Sequence, residues 1–466
     1  MNTADAVASR ASGQFEDTVA RLSEYLSYPA ISCDPDHAED VRRLAHRVVQ
    51  DLGTLGLANA RVLELPGALP IVAAEDLRAG PEKPTILIYG HLDLQPVKGE
   101  SWTSPPHDAT RRGDRLFARG AADDMGGWVS HLAAIRAWYD ETDGLPVNLK
   151  LIVEGEEEIG SPNLERYMDA WPDVFTSDAM ILTDCENPST TVPGLTVSLR
   201  GLLELELVCE ALDADVHSGL WGGMVPDVAM ALFLLVARLA DDDGRMKIAR
   251  VVVPEPRRQS GLAVPLDAET IRKGAHLKDG IHPLPVRDRS AAEWMWWQPS
   301  VTVVATTLPG PERKKNALRQ RASAVLSVRV APEQKPADMV KALEQVLLTN
   351  VPAGVKATLE PRGTPGDGWL YVPKGPAFVA ADKAYVRAFG KSLVQVGVGG
   401  SIPFVALFGR RFGDLPLILN GVMDPETTAH GPDESLHLGL FAKAIAANVY
   451  LYEELGALGK AGINAS

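Results

Sequence analysis

Apolar residues along the chain recur with two different periods, and each period predicts a type of element. In residues 14–27 and 37–55 they return every three or four positions, which predicts two amphipathic helices. A further helix is predicted over 126–139. Short apolar runs rich in β-branched residues predict strands over 85–90, 148–158 and 179–187. Strands that alternate with helices are typical of an α/β fold with a mostly parallel sheet.

A period of two begins near residue 195. The segment LELELV (203–208) alternates apolar and charged residues, as a half-buried strand does. Helices are predicted over 226–240 and 335–349. Further strands are predicted over 301–307, 323–331 and 355–361. Alternating strands with two helices predict a small α+β layer in this part of the chain.

The C-terminal region returns to the first pattern. Helices are predicted over 375–390 and 436–456, and strands at the apolar segments VALFG (405–409) and LPLILNG (415–421). We therefore expect one domain interrupted by another. The predicted boundaries are 1–195 and 365–466 for the first domain and 196–364 for the inserted one.

Composition limits the partners of the chain. The 466 residues are 45% hydrophobic and 23% charged, and the formal net charge is −15. This acidic surplus opposes binding to nucleic acid and to anionic membranes, which attract positive surfaces. Three cysteines far apart predict no disulfide framework, and we find neither a secretory signal pattern nor a long apolar span. We therefore expect a cytoplasmic protein without nucleic-acid or membrane partners.

Residue types that bind metals follow several of the predicted strands. They comprise His91 and Asp93, Asp123 and Asp124, Glu156 to Glu158, and Asp184, with His430 near the C-terminus. Because the carboxyl ends of strands line the ligand crevice of an open α/β sheet, these distant residues can converge.

Each of these elements also has an ordinary structural explanation. His91 and Asp93 fit a turn after a strand, and the pair Asp123 and Asp124 fits a helix N-cap. The glutamate run at 156–158 fits a solvated surface, and His430 fits a surface or core position. Their joint occurrence favours a metal site, because clustered carboxylates repel one another unless they are protonated or bind a cation. Imidazole with carboxylate suits zinc, and also manganese or cobalt.

A site with two metal ions needs five protein ligands if one carboxylate bridges the ions. The chain supplies this number with His91, Asp123, Glu158, Asp184 and His430. A free carboxylate is then needed to accept a proton from water, and Glu157 is next to a ligand. Asp93 is expected to hold the far imidazole nitrogen of His91, as carboxylates commonly do behind a metal-bound histidine.

Seven motifs carry a resemblance to a known family. They are GHLDLQPV, ARGAADDMGG, EGEEEIGS, TDCEN, DVHSGLWGG, GGSIPF and AHGPDES, in that order along the chain. Together they resemble the aminoacylase/carboxypeptidase G2/carnosinase superfamily of co-catalytic zinc metallopeptidases, and in particular its cytosolic dipeptidase–carnosinase branch. The resemblance implies a zinc-exopeptidase-like catalytic domain, with a mixed, mostly parallel sheet flanked by helices. It also implies an inserted ferredoxin-like α+β domain that serves as a lid and dimerisation surface.

The resemblance implies a role for each candidate ligand. His91, Asp123 and Asp184 match the ligands of one metal ion, while Asp123, Glu158 and His430 match those of the second. Asp123 rather than Asp124 matches the bridging residue, because it directly follows the pair of small residues in ARGAADDMGG. Glu157 matches the catalytic base.

Further residues match positions that contact substrate in the family. His217 matches a histidine that crosses the dimer interface, although a loop histidine is the ordinary explanation. Arg329 matches the residue that pairs with the substrate carboxylate, although it also fits a solvent-facing strand position. Gly399, Gly400 and Ser401 match a turn that binds the same carboxylate, although they also fit a tight connection.

The chain departs from the family in two places. Met125 stands where the family commonly has lysine, and only Asn316 remains of an Asn-Val-Ile-Pro-like segment. The insertion 251–300 contains Trp294, Trp296 and Trp297. We expect packed core or interface for these tryptophans rather than a place in the substrate cleft.

The sequence thus predicts a di-metal hydrolase that cleaves the amide bond of dipeptides or small peptides with a free carboxylate. The alternative within the hydrolases is an N-acyl amino acid amidohydrolase or deacetylase. A non-catalytic binding module would be expected to lack Glu157 or a ligand, and none is missing. A nucleotide-binding protein is excluded because the chain contains neither GxGxxG after a strand nor GxxxxGK[ST].

Overall fold

The computed structural model describes residues 3–400, 403–413 and 415–463. Its α-helices are α1 (Thr3–Gly13), α2 (Phe15–Leu26), α3 (Ala38–Leu55), α4 (Met125–Glu141), α5 (Leu164–Ala170), α6 (Pro172–Phe175), α7 (Ser218–Trp221), α8 (Val228–Ala237), α9 (Glu255–Ala263), α10 (Ala268–Gly274), α11 (Pro336–Leu347), α12 (Pro376–Phe389), α13 (Pro403–Phe412) and α14 (Leu438–Ile463). Within the described ranges, no helix combines the length and the apolar character needed to cross a membrane.

The strands are β1 (Ala58–Leu63), β2 (Ile71–Asp76), β3 (Thr85–His91), β4 (Thr110–Arg112), β5 (Arg115–Phe117), β6 (Asn148–Glu154), β7 (Ala179–Leu182), β8 (Gly194–Leu199), β9 (Gly201–Glu210), β10 (Val216–His217), β11 (Ser300–Thr306), β12 (Ala317–Leu318), β13 (Arg321–Val330), β14 (Lys356–Gly366), β15 (Trp369–Leu370), β16 (Val394–Val398), β17 (Leu417–Leu419) and β18 (Ser435–His437). The helices predicted at 14–27, 37–55 and 126–139 agree with α2, α3 and α4 to within two residues. The strands predicted at 148–158 and 179–187 extend four and five residues beyond β6 and β7. Helices α1, α5 and α6 and strands β1, β2, β4 and β5 were not predicted.

A six-stranded sheet in the order β1-β2-β6-β3-β7-β17 forms the centre of the larger unit. The pairs β3–β6, β3–β7 and β7–β17 are parallel, and β1 and β2 add antiparallel pairings at one edge. The prediction of a mixed, mostly parallel sheet is therefore confirmed.

Alternate residues of β3 enter two different hydrophobic cores. Ile86 and Ile88 pack in the core that contains residues of α1 to α4, α12 and α14, whereas Leu87 and Tyr89 pack in the core that contains residues of α5 and α13. Because helices cover both faces of the sheet, both sets of side chains are apolar. This explains why the strand is a continuous apolar run rather than an alternating one.

The second large sheet has the order β11-β13-β9-β14 and is antiparallel throughout. With α8 and α11 it forms the strand–helix–strand–strand–helix–strand sequence of a ferredoxin-like layer. Leu203, Leu205 and Leu207 of β9 are buried in the core that also contains residues of both helices. The glutamates between them lie on the other face, as the period of two predicts.

A three-stranded sheet connects the middle and the C-terminal part of the chain. Strand β8 pairs in parallel with β16 and antiparallel with β15. The change of partner to the ferredoxin-like sheet occurs between Leu199 and Gly201. The boundaries at 195/196 and 364/365 remain predictions.

The strand predicted at VALFG (405–409) is wrong, because this segment lies inside α13. Val405 and Phe408, three positions apart, are both buried in the same core, which is the spacing of a helix. A run of a few apolar residues does not by its composition distinguish a strand from a buried helix.

The insertion 251–300 contains α9, α10 and a short helical turn over Glu293–Trp297. Trp296 and Trp297 are buried in a small core with Val396 of β16, and Trp297 Nε1 donates to Ser198 Oγ at 2.9 Å. Packed core was therefore the correct prediction for these two tryptophans. Trp294 instead stacks beneath arginines, with the Arg245 guanidinium 4.4 Å from its ring centre.

Candidate metal centre and active site

Three parallel strands deliver the candidate ligands to one edge of the central sheet. Strand β3 ends at His91, and the neighbouring strands β6 and β7 end just before Glu156 and Asp184. Helix α4 begins directly after the Asp123–Asp124 pair, and it packs against β3. The chain order of strands and polar residues therefore places these side chains together, as expected.

Asp123 lies between two imidazoles. Its Oδ1 is 3.2 Å from His91 Nε2, and its Oδ2 is 3.1 Å from His430 Nε2. His430 Nε2 is also 3.2 Å from Glu158 Oε2. Two groups of potential ligand atoms, each within 4.8 Å, are formed by His91, Asp123 and Asp184 and by Asp123, Glu158 and His430. These are the two ligand sets predicted from the sequence, and they share Asp123.

The charges at this edge are mutually unfavourable without a cation. Burial, together with the charge of Asp123, raises the pKa of Asp184 well above its usual range and also raises that of Glu158. Burial opposes ionisation of Asp123 too, but hydrogen bonds from His430 and His91 lower its pKa. Hydrogen bonds to Asp123 and Glu158 raise the pKa of His430 to about 11. The donor set therefore fits two divalent cations, which would replace protons in neutralising these carboxylates.

Asp124 occupies the N-cap position of α4, yet its side chain makes no capping hydrogen bond. Its Oδ2 instead accepts from the backbone N–H of His91 at 3.2 Å and from Thr183 Oγ1 at 2.6 Å. A β-carbon on Gly90 or Gly127 would lie 2.6 or 2.0 Å from an Asp124 oxygen, so glycine is required at both positions. The buried carboxyl thus joins the ends of β3 and β7.

Asp93 contacts both His91 and the glutamate turn. Its Oδ1 is 3.5 Å from His91 Nδ1, while its backbone carbonyl is 3.1 Å from the same nitrogen. The two carboxylate oxygens accept the backbone N–H groups of Glu157 and Glu158 at 3.1 and 3.0 Å. The predicted contact with His91 is therefore accompanied by a second one that fixes the turn after β6.

Glu157 belongs to neither ligand group, although its Oε2 is 4.0 Å from His91 Nε2. Burial is the main cause that raises the pKa of its carboxyl well above the usual range. The carboxylate therefore lies close to His91 without belonging to either ligand group.

Sequence analysis missed Glu434, which is completely buried. Its carboxylate accepts the backbone N–H groups of Gly120, Ala122 and Asp123 at 3.0, 3.1 and 3.2 Å. It also pairs with the Arg119 guanidinium at 3.0 Å. Glu434 therefore holds the loop that carries Asp123. Its presence in the motif AHGPDES was the available signal, but only His430 was assigned there.

His217 is exposed at the end of β10, beside the short helix α7. Its Nδ1 accepts the backbone N–H of Gly219 at 3.0 Å. No candidate metal ligand among the described residues lies within hydrogen-bonding distance of it. The backbone carbonyl of Asn316 accepts the N–H of Ser218 at 3.0 Å. Asn316 is therefore held beside His217 by a main-chain hydrogen bond.

Arg200 lies near both Arg329 and Gly399, and sequence analysis also missed it. The Arg200 guanidinium donates to the Gly399 carbonyl at 2.9 Å and to Ser300 Oγ at 3.0 Å. Burial, followed by the nearby charge of Arg329, lowers the pKa of Arg200 to about 10. The half-buried Arg329 lies opposite Ser300 in the β11–β13 pairing.

The turn predicted to bind the substrate carboxylate is only partly within the described residues. Gly400 follows Gly399 in the described chain, whereas Ser401 lies outside the described residues. Its predicted contact therefore remains a prediction.

A comparison with protein-family models identifies the relationship of this chain. The model of peptidase family M20/M25/M40 matches residues 87–454, which include all five candidate ligands. The chain belongs to peptidase family M20/M25/M40. This M20 protein is therefore a metallopeptidase, a hydrolase of peptide bonds.

Curated relatives of this M20 peptidase align over most of its length. The cysteinylglycine-S-conjugate dipeptidase of Corynebacterium striatum is 34% identical over 418 residues, which cover 89% of this chain and 90% of the relative. The β-Ala-His dipeptidase of Homo sapiens is 28% identical over 391 residues, covering 80% of this chain and 74% of the relative.

Solved structures have the same fold. Human carnosine dipeptidase 1 superposes with a TM-score of 0.81 at 23% identity, covering 98% of this chain and 100% of the other. The M20 metallo-carboxypeptidase Sso-CP2 of Sulfolobus solfataricus gives a TM-score of 0.75 at 26% identity, with coverages of 95% and 99%. The predicted family and fold class are thus confirmed.

The contacts of Glu434 predict an effect on metal binding. In a Glu434→Gln variant, an amide NH2 group replaces one carboxylate oxygen. It would face a backbone N–H that now donates a hydrogen bond to that oxygen. The loop that carries Asp123 would lose its fixed position, and we expect metal affinity to fall about tenfold to a hundredfold. Equilibrium dialysis with metal analysis measures this change.

The neighbouring Asp433→Asn variant is the matched control, because Asp433 contacts Thr103 and Arg112 instead. It should retain the metal affinity of the wild type. Equal affinities for Glu434→Gln and Asp433→Asn would contradict the positioning role of Glu434.

Proposed function

We propose that this M20 peptidase is a di-metal exopeptidase that cleaves dipeptides or other small peptides with a free carboxylate. One observation carries the proposal. Asp123 is shared by two three-residue groups of potential ligands, and the carboxylate of Glu157 stands beside them without belonging to either. A shared carboxylate with an adjacent free one suits hydrolysis assisted by two metal ions.

The proposed metal ligands are the two groups described above. His91, Asp123 and Asp184 would hold one cation, and Asp123, Glu158 and His430 the other. We propose zinc because imidazole and carboxylate together suit it, with manganese and cobalt as alternatives that share these ligands. When bound, two such cations lower the pKa of water and polarise the scissile carbonyl.

The side chains of the protein carry the proton and orient the substrate. Glu157 would accept a proton from water at its carboxylate and donate it to the leaving amine. Asp93 would keep Glu157 in place through the N–H it accepts, 3.1 Å away. Arg329 would pair with the substrate carboxylate, for which a planar guanidinium is suited, and Gly399, Gly400 and Ser401 would offer further donors to it.

We propose that the inserted region 196–364 is a lid. We also propose that it forms the interface of a homodimer. Support comes from apolar side chains of the lid that are at least half exposed: Leu220, Trp221, Met224, Met230, Phe233 and Leu234. An exposed apolar patch of this kind is typical of a protein interface. His217 directly precedes α7, so a partner on this patch would lie beside it. We propose that His217 reaches the active site of the partner and stabilises the developing oxyanion.

The proposed substrates and compartment follow from charge and chemistry. Both curated relatives above are named as dipeptidases, which favours a dipeptide over an N-acyl amino acid. The net charge of −15 opposes nucleic-acid and membrane partners. Cys33, Cys185 and Cys209 are all free thiols, which suits the reducing cytoplasm.

A substrate panel tests the proposed activity. The protein is stripped with a chelator, reloaded separately with zinc, manganese or cobalt, and offered Xaa-Gly dipeptides and N-acetyl amino acids at matched concentrations. We expect two ions per chain, no turnover without metal, and higher kcat/KM for the dipeptides. A clear preference for the N-acetyl substrates would replace the dipeptidase assignment by that of an amidohydrolase.

The Glu157→Gln variant tests the general base. The amide cannot accept the proton of water, so kcat should fall about a thousandfold or more, while metal content stays that of the wild type. Glu165→Gln, on the exposed surface of α5, serves as the control and should change neither quantity. Substantial activity in Glu157→Gln would remove this residue from its role.

Mixed subunits test the shared site. His217→Ala should abolish activity with its metal content intact. When His217→Ala and Glu157→Gln chains are mixed in equal amounts, each mixed dimer contains one complete site, and we expect about a quarter of wild-type activity. No recovery in dimers shown to have exchanged subunits, or a fully active monomer, would refute the exchange of His217 between subunits.

A further inference from the structure

A cavity of about 260 Å³ lies between the end of β7, the insertion 251–300 and β16. Its apolar wall is formed by Leu266, Ile271, Met295, Trp296 and Pro425. A β-carbon on Gly397 would lie 2.6 Å from Trp296 Cβ, so the glycine allows this tryptophan to pack against β16. This part of the wall is therefore closely packed.

Two residues that line the cavity are close in sequence to candidate metal ligands. Glu186 follows Asp184 by two positions, and Pro425 begins the loop that leads to His430. His276, just beyond α10, lies with its Nε2 3.3 Å from Thr428 Oγ1 of the same loop. The insertion thus contacts the segment that carries a candidate ligand.

Among the residues that the structure describes, Glu186 is the one acidic residue that lines this cavity. Its main chain forms a bridge with Met423, and its side chain is exposed. Within the described part of the chain, no cationic group lies within ion-pair distance of this carboxylate. The nearby Asp424, by contrast, has a cationic partner, because it pairs with Arg115 at 2.8 Å.

The surroundings of Glu186 are negative as well. The carboxylates of Asp123 and Asp424 lie close enough to act on its charge. Cations at the metal centre would offset the charge of Asp123 but would leave Glu186 itself without a partner. A positive group placed at the mouth of the cavity would find a carboxylate on one side and an apolar wall on the other.

We propose that this cavity receives the side chain of the N-terminal residue of the substrate, and that Glu186 binds the free α-ammonium group of that residue. This inference rests on the proposed peptidase function. A carboxylate and an ammonium group form a charge-assisted hydrogen bond, and an apolar pocket with one polar anchor is the common form of a small-molecule site. The expected substrates have a free amino end and a large apolar first side chain.

Kinetics on Leu-Gly and Gly-Gly, with N-acetyl-Leu-Gly as a competing ligand, test the proposal in the metal-loaded protein. Loss of a charge-assisted hydrogen bond should raise KM for Leu-Gly about tenfold to a hundredfold in Glu186→Gln. The inhibition constant of N-acetyl-Leu-Gly, which lacks the ammonium group, should not change. Glu426→Gln, an exposed residue of the neighbouring loop, is the matched control and should behave as the wild type.

A second variant tests the cavity without altering charge. Thr270→Trp places a large side chain in the cavity from α10 and should lower kcat/KM for Leu-Gly at least about tenfold more than for Gly-Gly. Glu269→Trp, whose side chain pairs with Arg272 at the exposed surface, controls for the added tryptophan.

The outcomes distinguish a failure of the proposed peptidase function from a failure of the ammonium site. A metal-loaded wild type that hydrolyses no dipeptide would overturn the proposed function. Normal hydrolysis of Leu-Gly with an unchanged KM in Glu186→Gln would overturn the ammonium site alone. Equal effects of Thr270→Trp on Leu-Gly and Gly-Gly would show that the first side chain is bound elsewhere.

Discussion

Both oxygens of the Asp123 carboxylate are held by imidazoles, at 3.2 Å from His91 and 3.1 Å from His430. This one side chain joins a central strand to a loop near the C-terminus, and its backbone is held in turn by Glu434. Concentrating so many carboxylates at a sheet edge is unfavourable unless positive charge is supplied. The site therefore suits divalent cations, and the surrounding hydrogen bonds hold the candidate ligands close to one another.

The convergence of these candidate ligands could be predicted from the sequence because they occupy a simple topological position. His91 is the last residue of a buried strand, Glu158 and Asp184 follow two others, and parallel strands bring such residues to one edge. Glu434 and Arg200 could not be found in that way, because their partners are backbone atoms distant along the chain. The helix over Pro403–Phe412 was missed for a different reason, since a short apolar run fits either type of element.

The central strands and the insertion 251–300 contribute different kinds of residues. The ends of the central strands supply reactive groups, whereas the insertion 251–300 supplies a packed wall that includes Trp296 and Trp297. Trp297 is bonded to Ser198 of β8, so this wall is anchored to the same three-stranded sheet that contains β16. The candidate metal ligands and this packed wall thus come from separate stretches of sequence.

Arg200 has a consequence for how the two main sheets work together. Its guanidinium donates at once to the Gly399 carbonyl, after β16, and to Ser300 at the start of β11. A rotation of the ferredoxin-like layer away from the three-stranded sheet would have to break one of these bonds. Arg200 therefore ties the ferredoxin-like layer to the three-stranded sheet at the point where Arg329 lies opposite Ser300.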